Sequence, residues 1–140
     1  MTFKVLLQMT LFIGLLFFQS YAFAYQSEED KLGEQLIADG MRLGYASACI
    51  VGGSGDYNWM DKKVGKYFRN KYKSFDDLTF QGAFLGAVEH GVETAKKSSS
   101  DCEKMFNWIL AIYKECGANP QKVYDGRRGF LAKRKRVLGY

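Results

Sequence analysis

The chain has 140 residues, with 20 basic and 15 acidic groups, 47% hydrophobic residues and 25% charged residues. These values lie near the averages of soluble globular domains, so the sequence indicates one small domain that buries a core. A single proline and the absence of any repeated segment exclude collagen-like, low-complexity and repeat architectures.

The first 24 residues have the composition of a signal peptide. An apolar run of about fourteen residues extends from Val5 to Phe18, which is shorter than the ~20 residues that a membrane-spanning helix needs. The small residues Ala22 and Ala24 occupy the two positions that a signal peptidase reads. The sequence therefore predicts a signal peptide over 1–24 and a mature chain in an exported, oxidising compartment such as a periplasm. An uncleaved N-terminal anchor is the alternative.

Helix start and stop signals divide residues 25–120 into four amphipathic segments. Each segment begins at a Ser or Asn that has an acidic residue three positions later, as in a capping box. These four residues are Ser27, Asn58, Ser74 and Ser100. The glycine-rich stretch from Gly52 to Asn58 is predicted as a flexible loop, and Gly117 and Pro120 end the last segment. The sequence predicts an all-α domain, a small up-and-down four-helix bundle with short connections.

Three cysteines allow one intramolecular disulfide and leave one thiol over. In an up-and-down bundle Cys49, at the end of the first helix, lies beside Cys102, at the start of the fourth, so we predict a Cys49–Cys102 bridge. Cys116 lies ~21 Å further along that helix, beyond the ~7 Å limit on Cα separation. The bridge closes a loop of about 54 residues and is expected to contribute ~4 kcal/mol to stability. Cys116 is predicted as a free thiol that packs as a small apolar group, with an intermolecular disulfide in a homodimer, or a reactive thiol, as the alternatives.

Positive charge is concentrated after Pro120. Residues 121–140 carry seven basic residues against Asp125 alone, a net charge of +6, whereas residues 25–120 carry a net charge of −2. The sequence predicts a separable basic tail over 121–140 that binds an acidic protein or an anionic membrane surface, with a merely solvated end as the alternative. The binding residues would be Lys122, Arg127, Arg128, Lys133, Arg134, Lys135 and Arg136. Export argues against nucleic acid as the partner.

Residues suited to catalysis or metal binding are scarce. His90 is the only histidine, and its acidic neighbours Glu89 and Glu93 favour a solvated helix face over a metal site. The glycine-rich loop lacks the Lys-Ser/Thr pair of a phosphate-binding loop. Gly82 and Gly86, four residues apart, favour close packing against another helix. We therefore expect no metal, no cofactor and no enzymatic activity.

The layout as a whole, an export signal followed by a small helical domain with one long-range disulfide, resembles that of periplasmic immunity proteins and small acid-stress chaperones. The resemblance lies in architecture alone. We expect a non-enzymatic interaction protein of the cell envelope. The alternatives are an immunity or inhibitor protein that blocks an envelope hydrolase, and a periplasmic stress chaperone.

Processing of the signal peptide can be tested directly. The small residues at its end predict that protein recovered from the envelope fraction begins at Tyr25, which mass analysis of the intact chain will show. Recovery of the unprocessed chain in the cytosol would contradict both export and the oxidising compartment that the disulfide needs.

Overall fold

A computed structural model gives the structure of residues 27–52 and 57–139. These residues form five helices and no strand: α1 Glu28–Val51, α2 Lys62–Lys71, α3 Asp77–Lys97, α4 Cys102–Cys116 and α5 Gln121–Leu138. The chain divides into two compact units, 1–34 and 35–140. In the first unit the Ser27 hydroxyl accepts a hydrogen bond from the Asp30 amide at 3.1 Å, as predicted for this helix start. The predicted signal peptide and positions 53–56 of the predicted loop lie outside the described residues.

The predicted all-α class is confirmed, but α2 begins later than its predicted cap. Asp61 rather than Asn58 caps the helix, and its carboxylate accepts a hydrogen bond at 2.9 Å from a backbone N–H of the first turn. Tertiary contacts override the local signal, because the buried Trp59 donates its indole N–H to the Ser47 hydroxyl at 3.0 Å. The residues before Asp61 therefore form a turn against α1.

The N-caps of helices α3 and α4 lie one or two residues later than predicted. Asp76 rather than Ser74 caps α3, through a hydrogen bond of 2.7 Å to a backbone N–H. Asp101 rather than Ser100 precedes α4 and makes no side-chain cap bond. Gly117 ends α4 in the left-handed conformation, with φ of 69°, as the sequence predicts.

Helices α1 and α3 cross so closely that only glycine fits. A Cβ added to Gly44 would overlap the carbonyl group of Val88, and one added to Gly91 would overlap the carbonyl group of Met41. Gly40, one turn before Gly44, lies in the same way against the backbone and side chains of α3 one turn before Val88. The contacts run in the same order along both helices, so α1 and α3 point in the same direction.

Helix α2 runs opposite to both of them. Its contacts with α1, and likewise its contacts with α3, run in opposite order along the chain. The contacts are Ser47–Trp59 and Asp39–Tyr72 for the first pair, and Phe68–Phe84 and Tyr72–Phe80 for the second. The first three helices therefore alternate in direction, as the sequence predicts.

Helix α4 does not continue this alternation. Near its end, the Tyr113 hydroxyl accepts a hydrogen bond from the Asp61 amide at 3.1 Å and donates one to the Trp59 carbonyl at 3.3 Å, ahead of α2. The Trp108 ring lies 6.1 Å from that of Phe68, further along α2. Because Cys102 at the start of α4 is bonded to Cys49 at the end of α1, both ends of α4 contact the region where α1 ends and α2 begins, whereas in an up-and-down bundle only one end of the fourth helix reaches that region. The predicted arrangement is corrected on this point and on the number of helices, which is five among the described residues.

The core of residues 35–139 is built from side chains of all five helices. Its largest fully buried members are Leu36, Val64, Phe68, Tyr72, Phe106, Ile109, Tyr113 and Val123. Six of these eight residues are aromatic or β-branched and belong to α2 or α4 or directly follow α2, so the contact between these two helices lies at the centre of the core.

The predicted Cys49–Cys102 disulfide is present, with a Cα separation of 5.7 Å. Beside it, the Tyr45 hydroxyl donates to the Ser98 carbonyl at 2.5 Å and accepts from the Asp101 amide at 3.0 Å. One side chain of α1 thereby holds the connection between α3 and α4, next to the bridge. Cys116 is a free, half-buried thiol whose sulfur lies 3.8 Å from the Tyr113 carbonyl oxygen.

A buried carboxylate fixes α1 against the end of α2. Asp39 is only 5% exposed and contacts Lys71 Nζ at 2.8 Å, Arg42 at 3.1 Å and the Tyr72 hydroxyl at 2.5 Å. Burial, followed by the hydrogen bond and the charge of Asp39, raises the pKa of Tyr72 above its ordinary value. Tyr72 therefore remains a neutral hydrogen-bond donor, and the buried negative charge is matched by two cations.

The glycine pair that the sequence predicted to pack closely does not do so. Gly82 and Gly86 have no atom of another element near the position of a Cβ. The face of α3 that carries them also exposes Leu78 and Leu85, at 84% and 56%. The opposite face of α3, with Gly91, meets α1 instead, because Gly40 and Gly44 on α1 supply the matching small residues.

Alanine substitutions at two glycines should change stability in opposite directions. Gly44→Ala forces α1 and α3 apart and should lower the free energy of unfolding by about 2 kcal/mol. Gly82→Ala, which meets nothing, should raise it by about 0.5–1 kcal/mol through helix propensity. Urea unfolding followed by circular dichroism measures both, and equal effects of the two substitutions would contradict the close crossing.

Candidate binding surface

The predicted basic tail contains α5, and the first half of this helix packs on the other helices. Val123 is fully buried, and the Phe130 ring centroid lies 5.8 Å from that of Phe106. Gly126 lies so close to Ile50 that a Cβ there would be 2.6 Å from the isoleucine side chain. Residues 121–130 are thus a fifth structural element rather than a solvated end.

Three of the seven predicted cations are held by the protein itself. Lys122 Nζ donates to the Asn58 carbonyl at 2.9 Å, and Arg127 pairs with Glu103 at 3.0 Å. Arg128 pairs with Asp125, one turn earlier on the same helix. Hydrogen bonds from Gln121 and then from Arg128 lower the pKa of the Asp125 carboxyl, which therefore stays ionised. These three cations anchor and orient α5.

The other four predicted cations are free to meet a partner. They occupy consecutive positions near the end of α5 and are named here the cationic cluster: Lys133, Arg134, Lys135 and Arg136. All four are exposed, and none has an ion pair or hydrogen bond within the described part of the chain. Because an α-helix has 3.6 residues per turn, four consecutive residues surround it with positive charge. Their place in the last turns also suits the negative end of the helix dipole.

A groove of about 900 Å³ separates the second half of α5 from the end of the domain that holds the disulfide. We call it the α5 groove. Its first wall consists of α5 side chains, among them Phe130, Lys133, Arg134, Val137 and Leu138. The facing wall combines the end of α1 with the turn between α3 and α4, including Ala48, Ile50, Ser98, Ser99 and Ser100.

The α5 groove is lined by both apolar and polar side chains and has an excess of positive charge. Val137 and Leu138 on its rim are large apolar side chains that are 77% and 57% exposed. Two acids line it, but Arg127 neutralises Glu103 and Arg128 neutralises Asp125. Lys133 and Arg134 are therefore its uncompensated charges. Such a surface can bind apolar groups that are flanked by carboxylates.

The remaining candidate residues do not converge on a site. His90 is exposed on α3, and within 27–52 and 57–139 no three residues among His, Cys, Asp and Glu are grouped so that they could hold a metal ion. Cys116 is not among the residues that line the α5 groove, and its sulfur bonds to the backbone of its own helix.

Sequence reasoning found the cations but missed the groove. One wall comes from α1 and from the turn before α4, and their approach to α5 depends on tertiary contacts. A partial signal was present, since Phe130 and Val137 stand seven residues apart with Lys133 and Arg134 between them. That spacing places apolar and basic residues on adjoining faces of one helix.

Comparison with models of known protein families, with curated proteins and with solved structures found no match. Among the helices described above, none combines the length and the hydropathy needed to cross a membrane.

Two truncations should separate the anchored part of α5 from its free end. Removal of residues 133–140 leaves Val123 and Phe130 in place and should change the free energy of unfolding by less than about 0.5 kcal/mol. Removal of residues 121–140 exposes the surfaces that they cover and should lower it by about 2–4 kcal/mol. Thermal or urea unfolding measures both, and a full deletion with no effect would show that the segment is separable.

Proposed function

We propose that this protein is an exported, non-enzymatic interaction protein of the cell envelope, which binds an acidic surface of a partner protein through the end of α5. The observation that carries the proposal is the cationic cluster. The same helix pairs its earlier cations with Asn58, Glu103 and Asp125, but it leaves four consecutive cations without an internal partner.

Electrostatics support binding rather than a structural role for the cluster. Lys133 and Arg136 lie one turn apart on α5, and like charges at that spacing repel one another and weaken an isolated helix by a few tenths of a kcal/mol. An acidic partner would relieve this repulsion and would be attracted over the screening length of ~8 Å at physiological salt. The first half of α5 holds the cluster in place, because Val123 is buried and Phe130 contacts Phe106.

Export is the second element of the proposal. It rests on the predicted signal peptide and agrees with the Cys49–Cys102 disulfide, since such bonds persist in oxidising compartments. The negative net charge predicted for residues 25–120 leaves the end of α5 as the region where an acidic partner is most strongly attracted.

The proposal is tested with two variants of equal charge change. In the first, all four residues of the cationic cluster are changed to Gln. In the second, four exposed lysines elsewhere, Lys62, Lys66, Lys73 and Lys97, are changed to Gln. The mature proteins are immobilised, and envelope extract is passed over them at increasing salt.

We expect a protein partner that the wild type and the second variant retain equally. The first variant should bind it at least about tenfold more weakly, because each exposed ion pair contributes up to ~1 kcal/mol. Retention should also fall as salt rises to physiological strength. Equal losses in both variants would reduce the effect to net charge, and binding to phosphatidylglycerol vesicles without any protein partner would place the surface on a membrane instead.

A further inference from the structure

We infer that the α5 groove docks an acidic amphipathic helix of the partner, an inference that rests on the proposed function and specifies which part of the partner is bound. The cationic cluster alone would suit any acidic surface. The groove beside it adds a shape and an apolar component, and both restrict what can bind there.

The shape of the groove favours a partner that presents a protruding ridge over one that presents a flat surface. Helix α5 is in close contact with α1 at Gly126 and Ile50, whereas Val137 and Leu138 are largely exposed. The space between the two walls is therefore concave and runs along α5 from about residue 126 to residue 138. At 1.5 Å per residue this distance is about 18 Å, the length of a helix of about twelve residues. A bilayer surface cannot enter such a groove, but the side chains of a helix can.

The polarity of the groove selects an amphipathic occupant. The apolar residues Phe130, Val137 and Leu138 would meet an apolar face, and the cations Lys133 and Arg134 would meet flanking carboxylates. On the facing wall the three consecutive hydroxyls of Ser98, Ser99 and Ser100 disfavour the wholly apolar chain of a lipid. A helix with one apolar stripe bordered by Glu or Asp matches every part of this lining.

The test uses a synthetic probe of defined chemistry. The first peptide forms a helix of about fourteen residues, with Leu on one face and Glu along both borders. A second peptide has the same composition in an order that spreads the Leu residues around the helix. Binding of each labelled peptide to the whole mature protein is followed by fluorescence anisotropy at physiological salt.

Two tryptophan substitutions probe the groove without removing charge. Gly129→Trp places a large side chain in the groove at a position where a Cβ meets no other atom, so folding should be preserved. Gly82→Trp is the matched control, an equally unobstructed helical glycine on the exposed face of α3. Circular dichroism confirms that both variants are folded before binding is measured.

We expect the amphipathic peptide to bind the wild type and Gly82→Trp equally, and Gly129→Trp at least about tenfold more weakly. The reordered peptide should bind all three proteins weakly. If Gly129→Trp binds like the wild type while the Gln variant of the cationic cluster binds weakly, the groove is not the docking site and the proposed function stands. If the Gln variant also binds like the wild type, the proposed function itself is overturned.

Discussion

The close crossing of α1 and α3 is the constraint on which the rest of this domain depends. Gly40, Gly44 and Gly91 allow two helices of the same direction to touch through their backbones, which side chains larger than hydrogen would prevent. Because α1 and α3 run in the same direction, their C-terminal ends lie side by side. Three features gather at that end: the hydrogen bonds of Tyr45, the disulfide and one wall of the α5 groove. A surface suited to binding thus arises where the fold is most tightly determined, which keeps its walls in register.

The disulfide was predictable from the sequence even though the predicted topology was partly wrong. Its prediction depends only on α1, α2 and α3 alternating in direction, because that alternation brings Cys49 and Cys102 to the same end. The direction of α4 has no part in that argument. The path of α4 depends instead on Tyr113, whose hydroxyl bonds to the turn before α2. No local sequence signal predicts such a contact, because a tyrosine fits the apolar stripe of a helix whichever way the helix runs. The helix periodicity therefore predicted the class and the elements, and long-range hydrogen bonds decided their final arrangement.

The candidate surface shows the same division between local and long-range information. The sequence shows seven cations after Pro120 but does not show which of them are paired within the protein. The structure divides them, because Asn58 and Glu103 approach α5 only in the folded chain. Val123 supplied one hint of an anchored helix, yet a single buried valine is too little to distinguish a packed helix from a free one in sequence. The glycines were misassigned for a related reason. Gly82 and Gly86 have the spacing of a helix contact, but the partner surface with matching small residues, on α1, faces Gly91.

The two hydrogen bonds of Tyr45 have a consequence for how this protein acquires its covalent bond. They hold Ser98 and Asp101 on α1, and Asp101 is the immediate neighbour of Cys102. Four residues further along α1, one helical turn away, lies Cys49. Contacts of this kind hold the two cysteines near each other independently of the covalent bond, and proximity of this kind is the effective concentration that governs intramolecular thiol exchange. The disulfide therefore joins two residues that hydrogen bonds of their neighbours also bring together, whereas Cys116 lies at the opposite end of α4.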